Sequence, residues 1–165
     1  MARIFVGVGS NMDRERNIQA GLRALSGAFG ELTVSTIYES EAVGFAGDNF
    51  FNLVVAFDST QSPEQVAAAM SAIEHRFGRD RGGGRFAPRT LDLDLLLYND
   101  LVRHDRQISV PREDVTKYAF VLRPLVEIAG ELRHPVSGER FAELWARFDQ
   151  SSQALWPATL ESQLR

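Results

Sequence analysis

The chain has 165 residues, enough for one compact domain that needs no disulfide or structural metal to fold. It contains no cysteine, which excludes disulfides, thiolate catalysis and zinc–thiolate sites. A net charge of −4 and a pI near 5.4 are the opposite of a nucleic-acid binder's basic footprint.

The N-terminal residues carry one base and too short an apolar run for a signal peptide, and no stretch is long enough for a membrane helix. A cytoplasmic protein is expected. Residues 3–9 form a nearly continuous apolar run and read as a buried strand. Asp13 is the expected cap of a helix over 14–29, where Ile18, Leu22, Leu25 and Phe29 recur on one face and Gly30 stops it. Residues 32–38 alternate and are β-branched, predicting a second strand. A loop with Gly44 and Gly47 follows, then a third strand over 50–58. Pro63 opens a second helix whose apolar face is Val66, Met70, Ile73 and Phe77. Residues 78–89, with Gly82, Gly83 and Gly84, fit no regular element and favour a loop that closes on substrate.

A fourth strand is predicted over 91–98, a short extended piece at 108–110, and helices around 119–129 and 138–148. The predicted domain covers residues 1–149, and residues 150–165 are expected to be a loosely packed tail. The order strand–helix–strand–strand–helix–strand is the ferredoxin-like βαββαβ pattern. An α+β fold follows: a mostly antiparallel sheet flanked by helices, with extra C-terminal helices.

Alternation puts Asp92 and Asp94 on one strand face and Leu91, Leu93, Leu95 and Leu97 on the other. The two carboxylates leave the backbone roughly 6–7 Å apart. That suits a pair of metal ions about 3.5–4 Å apart, and carboxylate oxygens are the hard ligands magnesium takes. An isolated Asp-x-Asp is more often a solvated strand face. The neighbourhood tips the balance: residues 76–89 hold Arg76, Arg79, Arg81, Arg85 and Arg89 against the single acid Asp80. Guanidinium groups match phosphate oxygens bidentately, and phosphoryl transfer needs such clamps beside its metal. The chain has no P-loop motif. Gly7-Val8-Gly9 is not a dinucleotide fingerprint either, because Met12 stands where the third glycine belongs. Phe50 and Asn52 share a strand face, pairing a stacking ring with an amide that both donates and accepts, as a flat heterocycle requires. A strand phenylalanine is more often core. His75, His104 and His134 show no ligand spacing.

Several motifs in order resemble the 6-hydroxymethyl-7,8-dihydropterin pyrophosphokinases of folate biosynthesis. They are Gly7-Val8-Gly9-Ser10-Asn11, Tyr38 with the Ser40–Gly44 loop, Phe50-Phe51-Asn52, Gly78-Arg79, Arg85–Asp94, Val110-Pro111 and Phe120-Val121-Leu122. The resemblance spans roughly residues 3–148 and implies ATP-dependent pyrophosphoryl transfer to a pterin alcohol, releasing AMP. It implies two magnesium ions held by Asp92 and Asp94, with Arg79 and Arg89 completing the catalytic set. Phe50 and Phe120 would sandwich the pterin, while Asn52 and the Ser40–Val43 loop hydrogen-bond it. Glu74, Arg81, Phe86, Arg89, Ile108 and Ser109 would serve ATP. Arg112 stands where the family usually has histidine, and is expected to supply charge on the ATP side. Tyr118 replaces a usual basic residue. The implied partners are small molecules, not nucleic acid or membrane. A pterin- or nucleotide-binding paralogue with slow turnover, and a ferredoxin-like RNA-binding module, are the competing readings.

Overall fold

A computed structural model describes residues 1–41, 48–78 and 90–160. Its first strand, β1 (Ala2–Ser10), is the predicted apolar run. Helix α1 (Arg14–Phe29) buries Ile18 and Leu25, and Phe29 stacks on Phe57 with ring centroids 4.3 Å apart. Gly30, at φ 86°, ends it by donating its N–H to Ser26 O. Asp13 does not cap α1 as expected. It takes a left-handed conformation, makes no side-chain cap bond and pairs with Arg16 at 3.4 Å.

The predicted second strand is two shorter ones, β2 (Thr33–Val34) and β3 (Tyr38–Ser40). Ser35 breaks the run: its hydroxyl accepts from Val54 N–H at 2.9 Å, while Thr36 N–H turns away to the Glu127 carboxylate at 2.6 Å. Strand β4 (Phe50–Ser59) follows, then helix α2 (Pro63–Arg76). Ser62 and Gln65 form a reciprocal capping box ahead of α2, with Pro63 in the first turn.

Strand β5 (Asp92–Tyr98) pairs with β1. A small hairpin, β6 (Arg103–His104) with β7 (Ser109–Val110), leads through a cis Val110–Pro111 bond into α3 (Asp114–Lys117) and α4 (Ala119–Ala129). The last predicted helix is shorter than expected: α5 is Phe141–Ala146, because Arg140 is still extended and Gly138 has φ 74°.

The described part of the tail, residues 150–160, touches the domain at several points. Asp149 caps a 3-10 turn at Gln150–Ser152, and β8 (Trp156–Pro157) pairs with β3. Ala158 and Leu160 pack on the core. The Gln153 side chain accepts from Ala119 N–H at 2.9 Å and donates to Lys117 O at 3.0 Å. Tyr118, just ahead of α4, makes no side-chain cap bond, so the tail satisfies a donor the helix leaves open.

The six-stranded sheet runs β5-β1-β4-β3-β8, with β2 also on β4, and every pairing is antiparallel. This is the ferredoxin-like order, with one edge extended by the tail. On one face Ile4, Val6, Val8, Leu53, Val55 and Phe57 meet α1 and α2. On the other, Phe5, Val54, Ala56, Leu96 and Leu97 meet α3, α4 and α5. A register shift opposite Phe5 and Val6 puts both Leu96 and Leu97 into this second core. Leu97 therefore does not share the face of Leu91 and Leu93, contrary to strict alternation.

Candidate active site

The second face changes character along its length. Beyond Phe5, β1 offers it only Gly7 and Gly9. Gly9 lies between Asn52 on β4 and Asp92 on β5; Gly7 lies between Val54 and Asp94. With no side chains over the central strand, a recess opens whose floor is the β1 backbone. Asp92 and Asp94 form one wall, Phe50 and Asn52 the other. Ser40 and Glu41 at the end of β3, Phe120 and Val121 on α4, and Arg112 and Asp114 complete the lining.

Gly9 makes room there. A Cβ at this position would stand 2.8 Å from Asn52 Oδ1, closer than real Cβ contacts come. At Gly7 the nearest atom, on Leu96, is 3.6 Å away, an ordinary contact. Glycine at position 9 thus lets the buried Asn52 amide lie across β1 while its Nδ2 donates to Ser40 Oγ at 3.2 Å. Phe120 stacks on Tyr118, 4.9 Å between centroids, and is only partly covered, as is Phe50.

Asp92 and Asp94 share the face, as alternation requires. Arg112 Nη2 lies 3.3 Å from Asp94 Oδ1, and its Nε 3.5 Å from Asp114 Oδ2. Burial in the recess, then the charge of Asp92, push the Asp94 carboxyl up to about 7; Arg112 offsets part of this, and Asp114 and Glu74 add to it. The Asp94 side chain keeps 29% of its surface accessible, and it lines the recess.

The motif residues around β1 hold the walls in place. Ser10 Oγ donates to Thr90 O at 2.6 Å, tying the end of β1 to the entry of the aspartate strand. Asn11 Nδ2 donates to Asp48 O at 3.2 Å, just ahead of β4.

Of the residues expected to act, Ser40, Phe50, Asn52, Asp92, Asp94, Arg112 and Phe120 converge on this recess. Others lie apart from it. Glu74 on α2 is buried, and its Oε2 accepts from Leu93 N–H at 2.9 Å, bracing β5. Ile108 is buried, and the Ser109 hydroxyl meets His104 Nδ1 at 2.9 Å on the β6–β7 hairpin. Val43, Arg79, Arg81, Phe86 and Arg89 lie outside the described residues, as does the Gly82–Gly84 loop. Sequence reasoning missed Gly9 as the space for Asn52, although the shared parity of Gly7 and Gly9 was a signal. It also missed Asp114, two residues beyond Arg112.

The profile of the family described as 7,8-dihydro-6-hydroxymethylpterin-pyrophosphokinase (HPPK) matches residues 5–130. The chain belongs to the HPPK family. Among curated relatives, the 2-amino-4-hydroxy-6-hydroxymethyldihydropteridine pyrophosphokinase of Pseudomonas aeruginosa is 38% identical over 148 residues, covering 87% of this chain and 90% of that one. The enzyme of the same name from Aquifex aeolicus is 33% identical over 138 residues, covering 82% and 86%. The crystal structure of wild-type Plasmodium falciparum HPPK-DHPS shares the fold, with TM-score 0.66 at 13% identity over 88% of this chain. This chain spans 44% of that longer one. The matched stretch runs from Phe5, within β1, to Gly130, just past α4, and so contains every described wall of the recess. In this HPPK, Arg112, Asp114 and Tyr118 stand at the recess or beside it.

Among the described residues no three His, Cys, Asp or Glu side chains are grouped to cage a metal. No helix among them is long and apolar enough to cross a membrane.

Proposed function

We propose that the recess catalyses transfer of pyrophosphate from ATP to the hydroxymethyl group of 6-hydroxymethyl-7,8-dihydropterin, a step of folate biosynthesis. The hydroxymethyl oxygen bonds to the β-phosphorus, the bond from that phosphorus to the α–β bridging oxygen breaks, and AMP leaves. The hydroxyl proton is lost in the process. One observation carries this reading: two aspartates and an aromatic–amide wall face each other across a glycine floor.

Phe50 and Phe120 stack on the pterin, and Asn52, Ser40 and the backbone near Val43 read its edge. Asp92 and Asp94 hold two magnesium ions. Their fit rests on the donor chemistry: hard oxygens on one face, with Asp94 pushed up to about 7 because two carboxylates share a buried recess. Bound there, magnesium supplies neutralisation of phosphate charge. Two protein carboxylates leave most of each coordination shell to phosphates and water, as magnesium sites commonly do. Arg79, Arg81, Arg89 and Arg112 serve the phosphates, and Phe86 with the Ile108–Ser109 segment serves the nucleoside; Glu74, buried and holding Leu93 N–H, braces β5 instead of meeting ATP. Catalysis comes from alignment and charge neutralisation, with no covalent enzyme intermediate. The reading places the enzyme in the cytoplasm, with small molecules as its partners.

The test is AMP release from ATP, magnesium and 6-hydroxymethyl-dihydropterin. Pterin-dependent AMP formation is the expected result; binding of both ligands without AMP above background would reduce the protein to a binding paralogue.

A further inference from the structure

The recess carries a charge imbalance that its substrates alone do not explain. Asp92, Asp94, Asp114 and Glu41 line it, and Arg112 is the only basic side chain among the described lining residues. That guanidinium is engaged at both ends, Nη2 with Asp94 and Nε with Asp114. Its backbone is fixed independently, because Arg112 N–H donates to Leu96 O at 3.0 Å. The Cα is thus anchored beside β5, and the guanidinium reaches both acids from that fixed point.

We propose that Arg112 is the resident counter-cation of the recess: it holds Asp94 until metal and nucleotide arrive together, then releases that carboxylate and keeps Asp114. The inference rests on the reading of Asp92 and Asp94 as metal ligands. A cation approaching Asp94 meets a guanidinium nitrogen 3.3 Å from the oxygen it needs. Like charges at that range repel strongly inside a protein, so metal on Asp94 favours a displaced Arg112. A metal without nucleotide gives the displaced guanidinium no new anion. Nucleotide brings phosphate oxygens, which guanidinium groups bind well. Arg112 therefore disfavours metal alone and favours metal with nucleotide. It acts on the order of addition as a positioning residue, through Asp94.

The experiment measures manganese binding to the full chain at pH 8 by electron paramagnetic resonance, with and without a non-hydrolysable ATP analogue. Arg112→Gln is expected to bind manganese alone on the order of tenfold more tightly than wild type. With the analogue present, the order reverses and the variant binds on the order of tenfold more weakly. A parallel melt should show manganese alone raising Tm in Arg112→Gln and leaving wild type nearly unmoved. Arg112→Leu, uncharged at any pH, gives the same comparison should Arg112→Gln fold poorly. Nucleotide-free affinity within twofold of wild type in both variants overturns the proposal. Asp94→Asn separates the two levels: if it binds manganese with nucleotide as wild type does, the metal-ligand reading fails. If it loses that binding while the arginine variants match wild type, only the counter-cation role fails.

Discussion

The two faces of one sheet are built from the same strands and do opposite work. On the α1–α2 face, Ile4, Val6 and Val8 of β1 sit beside Leu53, Val55 and Phe57 of β4, all buried, and the layer is sealed. On the other face the same two strands present Phe5, Gly7 and Gly9 beside Phe50, Asn52, Val54 and Ala56. Its inner half is core under α4; its outer half is the recess. Because side chains alternate, β1 can be a core strand and the floor of a site at once. The price of the open half is electrostatic: two aspartates stand side by side on β5, and among the described lining residues one arginine steadies them.

That contrast yields an ordered set of tests. The largest effect is expected from Asp94→Asn, which should lower kcat for AMP release by on the order of 10²–10³ or more. The same variant should change the pH dependence of stability in the substrate-free protein. The Asp94 carboxyl is raised to about 7 in the folded state. Between the ordinary carboxylate range and about 7 the native state therefore keeps a proton that the unfolded chain has released. Stability should fall as pH rises through that window, and Asp94→Asn should flatten the fall in denaturation curves. No flattening would remove the claim that this carboxyl is strained by its surroundings.

Gly9→Ala comes next. Its Cβ would sit 2.8 Å from Asn52 Oδ1, against 3.6 Å from Leu96 for the same change at Gly7. Pterin affinity, read by fluorescence titration, should drop about tenfold for Gly9→Ala, the cost of one misplaced hydrogen-bonding group. It should drop much less for Gly7→Ala, and nucleotide affinity should hold in both. Equal losses at the two glycines would break the assignment of Gly9 to Asn52.

Smaller still is Gln153→Ala, which removes the acceptor for Ala119 N–H. About 1 kcal/mol of stability should go, as for loss of a helix cap, measured by urea unfolding. On the sealed face, Ile4→Val should cost about 0.5–1.5 kcal/mol and leave both ligand affinities unchanged. A change in pterin affinity there would mean that the faces are not independent.

How much of this was legible in the sequence follows from the range of the forces involved. The apolar period announced α1, since Ile18, Leu22, Leu25 and Phe29 need only their own helix to declare a face, and Gly30 marked its end. Period-two alternation put Asp92 beside Asp94 and Phe50 beside Asn52. It failed at Leu97, where a register shift set by the partner strand intervenes. The split between β2 and β3 depends on Glu127, 91 residues away from Thr36, so no local pattern announces it. Strand β8 is two residues long and has no period to read. Pairing of Arg112 with Asp94 is tertiary too, formed by a loop that crosses back to β5.

The most direct test of the central claim is a crystal structure of the full chain with magnesium, a non-hydrolysable ATP analogue and 6-hydroxymethylpterin. The account predicts metal on the carboxylates of Asp92 and Asp94, and the pterin between Phe50 and Phe120 with its edge on Asn52. A metal held elsewhere, or a pterin bound outside the recess over Gly7 and Gly9, would contradict it.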